Sequence, residues 1–138
     1  MSIFKKIISG EIPSYKIAED ENHFAFLDIS PLAIGHTLVV PKKETDYIFD
    51  LESEEYKMLW AFAQKVAKSL GEAVPCKRVG VAVIGLEVPH AHIHLIPMNR
   101  VSDMNFANPK LSFSPQVMEE TATKIRLQFE KNKQARKD

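Results

Sequence analysis

The segment His-Ala-His-Ile-His-Leu-Ile-Pro at residues 90–97 alternates polar and apolar side chains with a period of two. Successive side chains of a β-strand point to opposite faces, so this period predicts a strand. The two faces carry different residues: His90, His92 and His94 on one, and Ala91, Ile93 and Leu95 on the other. Three of the five histidines of the chain lie here. The pattern therefore predicts that one face packs in a core while the other carries chemistry.

Imidazole has an unperturbed pKa near neutrality, so a histidine can act as a nucleophile, as a general acid or base, or as a cationic donor to phosphate. Neighbouring positions on one face of a strand lie roughly 6.5 to 7 Å apart, so adjacent rings can touch. Because each ring disfavours a positive charge on the next, the arrangement favours a neutral His92 that can attack an electrophile.

A metal site is the alternative chemistry for this segment. Histidines at i and i+2 can both bind zinc, but the backbones of His90 and His94 would lie about 13 Å apart, too far to share one ion easily. Further ligands would have to come from elsewhere, such as His36, His23 or Cys76, and the sequence contains no second cluster with ligand spacing. We therefore expect no metal and no other cofactor, and keep a zinc-dependent hydrolase as the less favoured interpretation.

The size and charge of the chain limit the class of protein. A chain of 138 residues is long enough for one domain, expected at residues 1–130, with residues 131–138 as a flexible basic tail. Eighteen acidic and eighteen basic residues balance, so no overall field favours nucleic acid or a membrane. The lone Cys76 suits a reducing compartment, and the N-terminus has no signal-peptide pattern because Lys5 and Lys6 interrupt its apolar stretch. We expect a cytoplasmic protein.

Secondary-structure patterns predict an α+β fold, a five-stranded and mainly antiparallel sheet with packed helices. A short amphipathic helix is expected at residues 2–9, strands at 14–18, 23–28 and 35–42, a central strand at 77–85, and its neighbour at 89–96. Residues 98–113 show no periodicity and are expected to form a loop, which at this length is often a functional lid or an interface arm. Ser114-Pro115 is expected to begin the last helix. His23 is interpreted as an exposed strand residue.

The strongest helical signal covers residues 53–70, where one apolar stripe runs along the helix: Tyr56, Leu59, Trp60, Ala63, Val66, Ala67 and Leu70. Met58 and Phe62 lie off this stripe. An exposed i, i+4 pair that contains a phenylalanine predicts a contact between subunits.

His-x-His-x-His followed by apolar residues resembles the signature of the histidine-triad nucleotide-binding family of small nucleotidyl hydrolases and transferases. The similarity runs from about Ile3 to Pro97. It implies the same fold, a homodimer with a shared sheet, and an apolar base pocket at the positions of Ile3, Phe4, Ile7 and Ile12. Residues 26–31 resemble the family segment that holds ribose with an aspartate, here Asp28, and His36 matches a further histidine that orients a triad ring. Phe26 and Ile29 would add to an apolar slot around a purine.

The segment before the triad departs from the family pattern, which offers an asparagine and then glycine, glutamine and a serine or threonine. This chain has Val79 near the asparagine position and Gly85-Leu86-Glu87 in the glycine motif, so amide and hydroxyl donors to phosphate are missing. Backbone N–H groups after Gly85 could still hold phosphate oxygens. Glu87 would repel a phosphate unless a cationic leaving group or partner intervenes, which bears on the leaving group that the site accepts.

The resemblance implies a hydrolase or transferase that cleaves purine nucleoside monophosphate esters or phosphoramidates at the α-phosphate. His92 matches the middle histidine of the family and would form a nucleotidyl-histidine, while His94 and His90 would donate to nonbridging oxygens and shuttle the leaving-group proton. A nucleotide-binding module with little turnover is the alternative that the Gly85-Leu86-Glu87 segment keeps open.

Overall fold

A computed structural model describes residues 1–137. Over these residues the chain forms three α-helices, five strands and two short 3-10 helices. The helices are α1 (Ile3–Ile8), α2 (Ser53–Ala73) and α3 (Pro115–Lys137), and the 3-10 turns cover Ile48–Asp50 and Val101–Met104. The strands are β1 (Lys16–Glu19), β2 (His23–Leu27), β3 (Thr37–Pro41), β4 (Arg78–Ala82) and β5 (Ile93–Met98). The predicted α+β class is confirmed.

The strands pair antiparallel in the order β1-β2-β3-β5-β4. Residues 77–85 were predicted to form a central strand, and this is wrong: β4 lies at the edge of the sheet, and its Val81 is exposed. Apolar composition indicates that a strand packs on something, but it does not indicate how many strands flank it. Val79 of β4 packs on the core beneath α2, which accounts for part of this composition.

The two faces of the sheet bury different clusters. One face carries Ala25, Val39, Ile93 and Leu95 against α2 and α3, whereas the other carries Phe24, Phe26, Leu38 and Val40 against Phe4 of α1. The alternation at residues 90–97 follows this division, because its apolar residues join the first cluster. The histidine face lies on the side of α1.

α2 packs against the sheet and also against α3, so it buries more than the predicted stripe. Met58 is 53% exposed, but Phe62 is only 5% exposed, and its ring stacks on His23 at 5.1 Å and lies 6.1 Å from the ring of Phe129 in α3. The prediction that Met58 and Phe62 form an exposed pair is therefore wrong. The prediction that His23 is exposed is also wrong, since its ring packs on Phe62 and its Nδ1 lies 2.9 Å from an oxygen of Asp20.

The end of the chain is helical as far as it is described. α3 continues to Lys137, and Asn132 donates hydrogen bonds to Ser69 and Glu72 of α2. Asp138 lies outside the described residues, and both the domain boundary at residue 130 and the flexible tail after it stay predictions. No helix within residues 1–137 is both long and apolar enough to cross a membrane.

Candidate active site

A cavity of about 380 Å³ opens on the histidine face of the sheet, a volume typical of small-molecule sites. Nine of the predicted site residues line it: Ile3, Phe4, Asp28, His36, Gly85, Leu86, Glu87, His92 and His94. They come from α1, from the loops after β2 and β4, and from the triad segment. Gly85 has a positive φ of 73°, which lets the chain turn beside the cavity after β4.

His92 lies between two other rings. The centroid of its ring is 5.0 Å from that of Phe4 and 4.9 Å from that of His94, in edge-to-face contacts. Its Nδ1 lies 2.8 Å from the carbonyl oxygen of His90. A carbonyl can only accept, so Nδ1 carries the hydrogen and Nε2 keeps its lone pair. A neutral His92 therefore presents an unprotonated nitrogen on a ring that lines the cavity.

His94 forms a chain of hydrogen bonds with His36 that assigns the tautomer of both rings. The backbone N–H of Leu32 donates to Nδ1 of His36 at 3.0 Å, so Nε2 of His36 carries the hydrogen and donates to Nδ1 of His94 at 2.9 Å. His94 in turn must carry its hydrogen on Nε2. The structure thus places His36 behind His94, in contact with that ring.

Both of these rings are uncharged at neutral pH. Burial, aided by the positive charge of Lys110, lowers the pKa of His36 to about 4. Burial, followed by the neighbouring His92 and His36, lowers the pKa of His94 to about 3. His94 is therefore a neutral hydrogen-bond donor in the ligand-free protein.

His90 is separated from the cavity, although it shares the face of the other two triad rings. It is completely buried: its Nε2 donates to the carbonyl oxygen of Pro41 at 2.7 Å, and its Nδ1 accepts from the hydroxyl of Ser2 at 2.7 Å. The same hydroxyl oxygen accepts from the backbone N–H of Lys5 and so caps α1. The prediction that His90 donates to a phosphate oxygen is therefore corrected, because both ring nitrogens are already occupied.

Asp28 follows β2 and presents a carboxylate to the cavity. One of its oxygens accepts from the backbone N–H of Ser30 at 2.8 Å, and the other lies 3.7 Å from Nε2 of His36, too far for a hydrogen bond. Burial raises the pKa of this carboxyl group, and the hydrogen bond from Ser30 opposes the rise. The second oxygen is available to accept from a ligand.

Four of the residues predicted to contact the base do not line the cavity: Ile7, Ile12, Phe26 and Ile29. Phe26 is buried behind Phe4 at 5.6 Å between ring centroids, and Ile7 packs on the same cluster. Ile29 is 75% exposed. Phe26 and the half-buried Ile7 therefore pack with Phe4 in the cluster on this face of the sheet rather than line the cavity.

Two cavity residues missed by the sequence analysis come from the segment after β5. The ring of Phe106 lies 4.9 Å from that of His94, and Nζ of Lys110 lies 5.7 Å from the centre of the Phe106 ring. The only sequence signal was the length of this loop, which is typical of functional segments. The backbone N–H of Leu111 donates to the carbonyl oxygen of Pro31 at 2.8 Å, and this bond holds the loop beside Asp28.

One group of residues within the described chain could hold a metal ion, namely Asp28, His36 and His94, whose ligand atoms lie within 4.8 Å of one another. The hydrogen bonds act against such a site. Nδ1 of His36 accepts from Leu32, so a metal on Nε2 would require either an anionic ring or the loss of that bond. Zinc prefers neutral imidazole, so these residues fit a hydrogen-bonded pair better than a metal centre.

Comparisons with known proteins agree with this geometry. The family model for the HIT domain matches residues 9–101. An adenosine 5'-monophosphoramidase of Schizosaccharomyces pombe is 33% identical over 130 residues, which cover 90% of this chain and 98% of that protein.

Two solved structures have the same fold. A HIT-like protein of Bartonella henselae is 33% identical with a TM-score of 0.80, and the match covers 92% of this chain and 95% of that one. A zinc-bound histidine triad family protein of Mycobacterium smegmatis is 29% identical with a TM-score of 0.82, over 96% of both chains. With the sheet, the triad segment and the family match in agreement, the chain belongs to the HIT family of histidine-triad proteins.

Proposed function

We propose that the protein is a nucleotide hydrolase or transferase that cleaves purine nucleoside monophosphate esters or phosphoramidates at the α-phosphate, with His92 as the nucleophile. One observation carries the proposal: the carbonyl of His90 holds Nδ1–H of His92, so the lone pair of Nε2 remains on a ring that lines the cavity. The similarity to an adenosine 5'-monophosphoramidase supports this substrate class.

The cavity has the parts that a mononucleotide needs. Ile3, Phe4 and Leu38 provide apolar surface for a base, and the free oxygen of Asp28 can accept from the ribose hydroxyls. His92 and His94 lie side by side where a phosphate would then be placed. These groups support a nucleotide bound with its phosphorus atom against the triad.

The first chemical step transfers the nucleotidyl group. The lone pair of Nε2 of His92 attacks phosphorus, the new N–P bond forms, and the bond from phosphorus to the leaving group breaks with its electron pair on the leaving atom. The Nε2–H of His94 donates to a nonbridging oxygen and stabilises the charge that develops there. The hydrogen bond from Nδ1 of His92 to His90 stabilises the positive charge that forms on the attacked ring.

The neutral state of His94 favours a phosphoramidate over an ester. The N–H of His36 already points at Nδ1 of His94, so protonating His94 would bring two hydrogens together. Burial, followed by the neighbouring His92 and His36, also holds the pKa of His94 low. A leaving alkoxide needs a proton from an acid, whereas the nitrogen of a phosphoramidate can be protonated by solvent before it departs as an amine. This site therefore suits a P–N bond.

The second step returns the enzyme to its starting state. Water attacks phosphorus, the bond to Nε2 of His92 breaks, and the nucleoside monophosphate leaves while the proton of the attacking water passes to solvent. His90 takes no part in either transfer. We assign it a positioning role, because it connects the residues that cap α1 to the carbonyl that holds His92.

Mass spectrometry of quenched turnover tests the proposal. We expect wild-type protein incubated with an adenosine phosphoramidate to show an added adenylyl group, and His92→Ala and His92→Gly to lose both the adduct and the release of monophosphate. His23→Gln is the matched control, because His23 is a buried histidine outside this cavity. Turnover at wild-type rate in either His92 variant would refute a nucleophilic His92.

A nucleotide-binding module with little turnover is the second candidate, and Glu87 at the cavity favours it. A carboxylate near the phosphate weakens binding of an anionic transition state. Tight binding of AMP without monophosphate release by the wild-type protein would support this candidate over the hydrolase.

We also propose a homodimer that extends the sheet across two copies. Within the described residues β4 is an edge strand, and Val81 on it is 49% exposed, so its unpaired backbone groups could pair with a second copy. Sedimentation velocity should show a dimer for wild-type protein and for Leu127→Lys, which changes an exposed residue of α3. We expect Val81→Lys to weaken the dimer, and a monomeric wild-type protein would contradict the proposal.

A further inference from the structure

The charged residues at the cavity are poorly matched to an anionic ligand. Asp28 and Glu87 bring negative charge, while burial keeps His36 and His94 uncharged at neutral pH by lowering the pKa of each ring. Within residues 1–137, Lys110 is the one lysine or arginine that lines the cavity. A nucleoside monophosphate would therefore find a single source of fixed positive charge.

Lys110 is an exposed lysine that lines the cavity and is held by one hydrogen bond. Its Nζ donates to the carbonyl oxygen of Phe106 at 2.7 Å and lies 5.7 Å from the centre of the Phe106 ring. None of the ion pairs found among the described residues includes Lys110. An ammonium group has three donors, so two N–H groups remain for a ligand.

Lys110 lies close enough to the triad for its positive charge to act on the histidine rings. Lys110 is hydrogen-bonded to Phe106, whose ring lies edge-on to that of His94 with 4.9 Å between the centroids. The positive charge of Lys110 also contributes to the low pKa of both His36 and His94. The bond from Leu111 to Pro31 holds the adjacent backbone against the loop that carries Asp28. These contacts place the ammonium group within electrostatic reach of a phosphate bound at the histidines.

Lys110 lies outside the segment that the family model matches. The match to the HIT domain ends at residue 101, and the segment Gly85-Leu86-Glu87 lacks the amide and hydroxyl donors of the family pattern. We propose that Lys110 binds the phosphate of the nucleotide and supplies the donor and the positive charge that this segment lacks. The inference rests on the proposed function only in taking a nucleoside monophosphate as the ligand.

Binding of AMP and of adenosine, measured by titration calorimetry at low salt, tests this role. We expect Lys110→Met to weaken binding of AMP about tenfold or more, the loss typical of a hydrogen bond to a charged group, and to leave binding of adenosine unchanged. Lys110→Arg should retain most of the preference for AMP. Lys124→Met is the matched control, since Lys124 is an exposed lysine of α3 outside the cavity lining.

Raising the salt concentration should narrow the difference between wild type and Lys110→Met, because an exposed charge is screened. Equal AMP affinity in Lys110→Met and wild type would overturn the proposal, and so would a wild-type protein that prefers adenosine to AMP. Failure of the His92 scheme would look different: the AMP preference would still depend on Lys110, but no adenylyl adduct would form.

Discussion

The pair of buried neutral histidines should make the protein sensitive to mild acid, and His36→Gln should reduce that sensitivity. His36 and His94 resist protonation in the folded protein, with pKa values of about 4 and about 3. In the unfolded chain a histidine titrates near its reference pKa of about 6.5. Between these values the unfolded state binds more protons, so the free energy of unfolding falls as the pH falls below about 6.5.

The magnitude follows from the two pKa values of each ring. Between pH 7 and pH 5 a histidine of the unfolded chain becomes almost fully protonated, while these two rings stay neutral in the folded protein. The free energy of unfolding therefore falls by about 2 kcal/mol for each ring. The pair should therefore remove about 4 kcal/mol of stability over this range. The loss stops growing below the folded-state pKa, where the native rings also take up protons.

Urea unfolding at pH 7 and at pH 5 measures this effect. His36→Gln removes one titrating ring and keeps an amide that can donate to His94, so its loss of stability between the two pH values should be smaller than that of wild type by about 2 kcal/mol. Val39→Ala is the control, because it opens the core without removing a titrating group. An equal loss in wild type and His36→Gln would refute the assignment of a neutral, buried His36.

Three further predictions concern the packing and the chemistry of the site. Phe62→Ala should lower the free energy of unfolding by about 3 to 5 kcal/mol, whereas Met58→Ala should change it by less than about 1 kcal/mol. Thermal or urea unfolding measures both values, and similar losses in the two variants would contradict the burial of Phe62. Ser2→Ala should cost about 1 to 3 kcal/mol, because it leaves Nδ1 of His90 without a donor and removes the cap of α1, and KM should rise because α1 carries Phe4; unchanged stability and KM would contradict this role. Dialysis against a metal chelator should leave the hydrolysis rate unchanged, and a loss of rate restored by zinc would instead support a zinc-dependent hydrolase.

Local sequence patterns anticipated much of the sheet and part of the site. The period of two at residues 90–97 placed His92 and His94 on the face opposite Ile93 and Leu95, because strand geometry alone assigns alternate side chains to opposite faces. The short helix expected at residues 2–9 was similarly readable from its amphipathic pattern, and α1 covers Ile3–Ile8. The resemblance to the family added Asp28 and His36, which both line the cavity.

Other features depended on packing between distant elements. Phe62 could not be recognised as buried until α3 was known to cover the second side of α2. The position of β4 at the edge depends on strand order, which composition does not encode. Lys110 carried no motif, and only the path of the loop brings it to the cavity.

The sequence by itself thus determined which rings share a face and which segments are helices or strands, because these properties follow from local periodicity. Only the tertiary structure decided what each ring does. Ser2 and Pro41, which are 88 and 49 residues from His90, occupy its two ring nitrogens. His36, which is 58 residues from His94, fixes the tautomer of that ring. Hydrogen-bond partners and burial set the protonation state of an imidazole, and both arise from the folding of distant segments against one another.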